Sequence, residues 1–274
     1  MMLIDSAHDL GPSKTSKPEL ITEKITRPAR LPRVSRARLL NMLEKSMSAG
    51  STTIVSGRAG TGKTALAVDF GHRCGRPVAW YKVDAPDSDP KIFFQYLIHS
   101  IQSRRPDFGK KLLMPLMELA EPDLMPWLTE AFIYELSEGS SGNPLLIVIE
   151  DLHQVSDSEW LMLFFSRLLP LLPSEVHVLI TSRSLPTAPL WRMRSKQSLT
   201  VIDEATLAFT RPEAASLFAS YGLSAEQANI ALDHTHGRAI NLDDAAAFLR
   251  RSEKTAAVTF GRLHSGNARA LRRA

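Results

Sequence analysis

A chain of 274 residues has the length for one large domain or two small ones, and its 44% hydrophobic and 23% charged content is that of an ordinary globular protein. A net charge of +4 argues against the whole chain being a nucleic-acid binder, and a single cysteine, Cys74, excludes an intramolecular disulfide. The opening MMLIDSAHDLG has acids and no long apolar core, and no run approaches the roughly 20 apolar residues of a membrane span, so a cytoplasmic protein is expected.

Residues 1–24 are polar and read as a disordered tail. ITRPARLPRVSRARLLNML then runs from prolines into an amphipathic pattern, with a short helix expected from Arg36 to about Lys45. STTIV reads as a buried strand and TALAVDFGHRC as a helix closed by Gly75. PVAWYKVD is a second strand, and the acids of VDAPDSDP read as solvated turn and cap residues. In DPKIFFQYLIHSIQ, Phe93, Leu97 and Ile101 recur at helical spacing, and PWLTEAFIYELSE gives another helix. NPLLIVIED is an apolar strand ending in Glu150 and Asp151, and nearby His153 reads as a local hydrogen-bonding residue. Ser156 and Glu159 suggest a capping box for the next helix. EVHVLITSRS is a further strand, ending in Thr181, Ser182 and Arg183. Strand–helix alternation over 25–185 predicts an α/β domain, a mainly parallel sheet between helices.

After residue 185 the pattern changes. Pro186 and Pro189 mark a linker, and WRMRSKQSLTVIDEATLAFT has no clear period. Thr210 with Glu213 and Ser224 with Gln227 cap two helices, Gly237 closes the second, and NLDDAAAFLRR suggests a third. A small helical lid subdomain is expected over 186–250, followed by a basic tail at 251–274. His234 and His236 lack the companions a metal site needs.

The loop VSGRAGTGKTALA carries the chemistry. Its spacing, Gly57-x-x-x-x-Gly62-Lys63-Thr64, is that of a P-loop. A phosphate chain needs many donors close together, and backbone N–H groups supply them where glycines let the chain curl. Gly57, Arg58, Ala59, Gly60, Thr61, Gly62, Lys63 and Thr64 are the candidate cradle. Lys63 would reach the terminal phosphates, Thr64 would ligand Mg²⁺, and the following helix would add its N-terminal dipole. Parallel strands present ligand groups at their carboxyl ends, where Glu150 and Asp151 stand. Glu150 is the candidate Mg²⁺ acid and Asp151 the candidate for positioning the attacking water, with Arg183 placed to sense the γ-phosphate. Position 150 in such strands is more often Asp, one methylene shorter.

EKITRPARLPRVSRARLL, GRAGTGKTALA, VAWYKVDAPDSDPKIFFQYLIHSI, LLIVIEDLHQV, LITSRS, LAFTRPEAASLF and HGRAINL occur in an order that resembles the MalT-like regulators. These are LuxR-type, ATP-dependent transcription activators among the signal-transduction (STAND) NTPases. The resemblance spans roughly residues 22–250, and its telling features include the tryptophan on the second strand. It implies a nucleotide-binding core with a helical lid, ATP and Mg²⁺ as ligands, and a slowly hydrolysing switch. It also implies that Val34 and Arg36 cradle the nucleotide and that Arg183 is the sensor arginine. Gly237 matches a glycine that the family usually follows with tryptophan, where this chain has Arg238. Family members continue into a sensor and a helix-turn-helix, for which a chain ending at Ala274 has no length. DNA binding is therefore not expected of this chain, while self-association or a regulatory protein partner is. A catalytically idle ATP-binding docking protein and a DNA-associated P-loop ATPase are the alternatives.

Overall fold

The computed structural model describes residues 20–49, 52–118, 121–138, 142–185 and 199–252. Among them, β1 (Thr52–Ser56), β2 (Val78–Lys82), β3 (Leu145–Glu150), β4 (Val176–Ser182) and β5 (Leu199–Ile202) form one sheet in the order β2-β3-β4-β1-β5. Every pairing is parallel. Parallel strands need crossovers that lay helices on both faces, so the strands are apolar throughout rather than alternating. In β3 all six residues are buried. Leu145, Ile147 and Ile149 face one side, with Phe93, Leu97, Phe132 and Phe164. Leu146 and Val148 face the other, with Leu39, Leu43, Leu66 and Phe70.

The second face is covered by α1 (Ala37–Ser48) and α2 (Lys63–Arg73). The first is covered by α3 (Pro90–Gln102), α4 (Leu113–Glu118), α5 (Glu121–Glu138) and α6 (Glu159–Leu168). Asp89 caps α3 by accepting from the Lys91 N–H, with Pro90 at the first helical position, where its missing N–H costs nothing. Beyond the sheet come α7 (Glu204–Leu207), α8 (Arg211–Ser220), α9 (Ala225–Thr235) and α10, residues 239–252. The last three pack around Leu217, Phe218 and Leu242 as a separate small core. The Thr210–Glu213 and Ser224–Gln227 capping boxes both form.

Four expectations are corrected. Leu199–Ile202, placed in the lid, instead pairs with β1, Thr52 opposite Leu199, so the sheet takes in part of the stretch that showed no period. Four residues are too few to display one. The Ser156 capping box does not form. Ser158 is the N-cap of α6, and the Ser156 hydroxyl donates to the His153 carbonyl. Residues 20–24, assigned to the tail, lead into a 3-10 turn at Thr22–Ile25; Leu20 and Ile25 pack against the core and Lys24 is buried. Its Nζ lies 2.7 Å from Asp84 and 2.5 Å from Asp87, so Asp87 is a buried partner, fully shielded from solvent, rather than a solvated turn acid. The rest of the tail, 1–19, the linker at 186–198 and the basic tail from 253 lie outside the described residues.

Candidate functional site

β1 runs into the glycine loop, and β4 stands between β1 and the acid-bearing β3, so all three strands end at one sheet edge. The loop is anchored there by the Gly57 N–H, which donates to the Ser182 carbonyl at 3.2 Å. Gly60 and Gly62 have φ of +78° and +89°, values that only glycine adopts without strain, and α2 starts at Lys63 directly after the second of them. Gly60, Gly62, Lys63 and Thr64 line one concavity at the positive end of α2.

Lys63 is buried and donates to the Gly57 carbonyl at 2.6 Å and the Arg58 carbonyl at 3.0 Å. Burial lowers its ammonium below the ordinary lysine value, against the opposing pull of Asp151. Thr61 closes the loop by donating to the Arg58 carbonyl at 2.9 Å. Arg58 itself is held from outside, its backbone N–H and Nε each 2.8 Å from the Glu204 carboxylate. The Ala59 carbonyl accepts from the Arg238 guanidinium, so the residue after Gly237 touches the loop.

The acids occupy two different places. Glu150 is buried at the end of β3, on the α2 face. One of its oxygens accepts from the Thr64 hydroxyl and the other from the Trp80 indole N–H at 3.2 Å. Asp151 follows in a left-handed conformation, φ +60°, its N–H donating to the Thr181 hydroxyl at 3.1 Å. That conformation is strained for a non-glycine residue and turns the aspartate out of the strand line, leaving its side chain 29% exposed. His153 Nδ1 lies 3.9 Å from the Asp151 carboxylate, and among the described residues neither ring nitrogen has a hydrogen-bond partner, contrary to the role expected for it. Burial lowers its pKa, partly offset by Asp151. Arg183 is exposed just past β4, close enough for its charge to act on both Lys63 and His153.

Beside the loop opens a cavity of about 420 Å³, walled by Leu31, Val34, Gly62, Phe209, Leu217 and Ile240 among others. Val34 lies on this wall. Arg36 stands behind it, buried, donating to the Leu207 carbonyl at 2.7 Å and the Gly62 carbonyl at 3.2 Å, with its guanidinium 4.9 Å from the Phe209 ring centre. Burial lowers its pKa to about 10. It binds α1, the loop and the root of the lid together. A larger cavity, about 710 Å³, lies beside Pro77 and Pro144 at the opposite, amino-terminal edge of the sheet, away from these groups.

Of the residues that the sequence points to, the loop, the two acids and Arg183 come together at the carboxyl ends of β1, β3 and β4. Sequence reasoning missed Glu204, which lies in the stretch without a period, and the hydrogen bond of Trp80, which it noted only as a mark of resemblance.

The AAA ATPase domain family matches residues 34–181. The HTH-type transcriptional regulator MalT of Serratia proteamaculans is 30% identical over 256 residues, covering 91% of this chain and 27% of that protein. The serine/threonine-protein kinase PknK of Mycobacterium tuberculosis is 30% identical over 192 residues, 69% of this chain and 17% of that one. The chain thus spans under a third of the length of either relative. Among solved structures, a Walker-type ATPase of Pyrococcus abyssi aligns with a TM-score of 0.49 at 16% identity, over 90% of this chain and 79% of that one.

Proposed function

The chain belongs to the AAA ATPase domain family, and from that premise we propose that it binds ATP with Mg²⁺ and hydrolyses it slowly, as the switch segment of a regulator of the MalT kind. The observation that carries the reading is the contact between Thr64 and Glu150, which joins the start of α2 to the end of β3 at the mouth of the glycine loop. A hydroxyl and a carboxylate are the hard oxygen donors that Mg²⁺ takes, and this cation is usually held by one or two such groups together with substrate phosphates. Among the described residues no cluster of three or more His, Cys, Asp or Glu side chains makes a self-contained metal site, which fits a cation shared with a nucleotide. Gly57 to Thr64 would cradle the phosphates, and the Val34 cavity would take the base. Asp151 would orient water, with Arg183 at the γ-phosphate.

The switch role is supported by the lid. Its contacts with the loop run through Arg238 and Ile240, so phosphate arriving in the loop bears directly on lid position. A partner protein or a second copy would read that position. Among the described residues no helix is long and apolar enough to cross a membrane.

The test is Lys63→Ala. Removing a charge-assisted phosphate contact should weaken ATP binding by orders of magnitude in a calorimetric titration. Two loop carbonyls also lose their donor, so a loss of about 1 kcal/mol in stability is expected alongside. Unchanged ATP affinity refutes the site. Phosphate release by the wild-type chain then separates slow hydrolysis from binding alone.

A further inference from the structure

Trp80 and Glu150 lie on neighbouring strands, and the register places Trp80 opposite Val148, two residues before Glu150. Side chains two apart on a strand share a face, so the indole and the carboxylate are diagonal neighbours within reach of long side chains. The indole is 1% exposed, and its N–H finds Glu150 at 3.2 Å. A buried indole N–H can only donate and would be costly unpaired. The carboxylate therefore has one oxygen committed to Trp80 and the other to Thr64.

We infer that Trp80 is a positioning residue for the metal-side carboxylate: its indole holds one oxygen of Glu150 so that the other is presented to Thr64 and the cation. This rests on the nucleotide reading above. It also gives a reason for Glu rather than Asp at 150. The extra methylene lets one carboxylate span from the neighbouring strand to the start of α2, which an aspartate, roughly 1.5 Å shorter, would not do while keeping both partners. The Thr64 hydroxyl can donate to Glu150 and still turn a lone pair to a cation.

The experiment is Trp80→Phe in the full chain, titrated with ATP in the presence and absence of Mg²⁺. Metal-free ATP affinity should stay within about twofold, because no phosphate or base contact changes. The Mg²⁺ concentration needed for half-maximal enhancement should rise roughly 10- to 100-fold, the usual cost of losing a group that orients a metal-holding side chain. Mg·ATP should also change the indole emission of the wild type, and that change should vanish in Trp80→Phe. If Trp80→Phe does not fold, Glu150→Asp leaves the indole in place but withdraws the carboxylate, and it should abolish the same emission change. A wild-type chain that ignores ATP overturns the nucleotide reading and this inference with it. A wild type that binds Mg·ATP, with Trp80→Phe matching it in Mg²⁺ dependence or Glu150→Asp matching it in emission, overturns this inference alone.

Discussion

The backbone N–H of Ile240 donates to the carbonyl of Gly60 at 2.9 Å, so the first turn of α10 is hydrogen-bonded to the glycine loop. The two residues also touch through space: a Cβ at Gly60 would stand 2.5 Å from Ile240 Cγ2. Lid and loop are fitted to each other at this point, and the fit requires a glycine twice over, for its φ and for its lack of a side chain.

Gly60→Ala should therefore weaken ATP binding through two separable terms. Left-handed backbone costs a residue with a side chain about 1–2 kcal/mol, and overpacking against Ile240 adds about 1 kcal/mol or more. Ile240→Ala removes the second term only. The double variant should recover part of the lost affinity, roughly tenfold for about 1.4 kcal/mol. Calorimetric titrations of the two single variants and the double variant measure the coupling. Strict additivity would show that the lid does not meet the loop in solution.

Lys24 makes a prediction about stability rather than binding. Its ammonium is 8% exposed, between Asp84 and the fully buried Asp87, and 4.2 Å from the Tyr96 ring centre. Lys24→Met leaves Asp87 buried without its cation and should cost roughly 3–5 kcal/mol in urea unfolding. Adding Asp87→Asn should return a substantial part of that loss, because the stranded charge goes with it. If the single variant loses under about 1 kcal/mol, residues 20–25 do not hold the domain together as described.

The fold was legible where periodicity ran long, and the site where a motif has fixed spacing. LLIVIE could hardly be anything but a strand buried on both faces, and Gly57 to Thr64 carries its own geometry. What stayed hidden depends on partners far apart in the chain. Lys24 sits in a polar stretch and is buried only because Asp84 and Asp87, some 60 residues on, come to meet it. Glu204 looks like an exposed helix-start acid until β5 pairs with β1 and brings it to Arg58. Trp80 is buried core except for one nitrogen, whose partner is set by strand register. Local pattern carries no information about such pairings.

Exchanging Glu204 for Gln probes one of those pairings. Both oxygens of Glu204 serve Arg58, one on its backbone N–H and one on its side chain. An amide can accept on only one side, so the loop's outer strand keeps its backbone partner or its guanidinium, not both. Nucleotide affinity should fall modestly, within about tenfold given the exposure of the pair. Hydrogen exchange at residues 57–61 should quicken. A variant with unchanged exchange across the loop would mean that Glu204 is a surface ornament.

The two acids at the end of β3 should separate when each is made neutral at constant size. For Glu150→Gln the partners dictate the outcome. Trp80 can only donate, so the amide must turn its oxygen to the indole and its NH₂ to Thr64. The Thr64 hydroxyl must then accept that bond, and a lone pair otherwise open to the cation is taken. Mg²⁺-dependent ATP affinity should fall while metal-free affinity changes little. Asp151→Asn touches neither Thr64 nor Trp80, and its backbone bond to Thr181 survives. ATP and Mg²⁺ should bind nearly as before, and single-turnover hydrolysis should drop roughly 10²-fold or more, as when a positioned base is lost. Reversal of these two patterns would exchange the roles of the acids. If the wild type turns over measurably and neither variant alters turnover or metal dependence, both acids are structural and the loop serves binding alone.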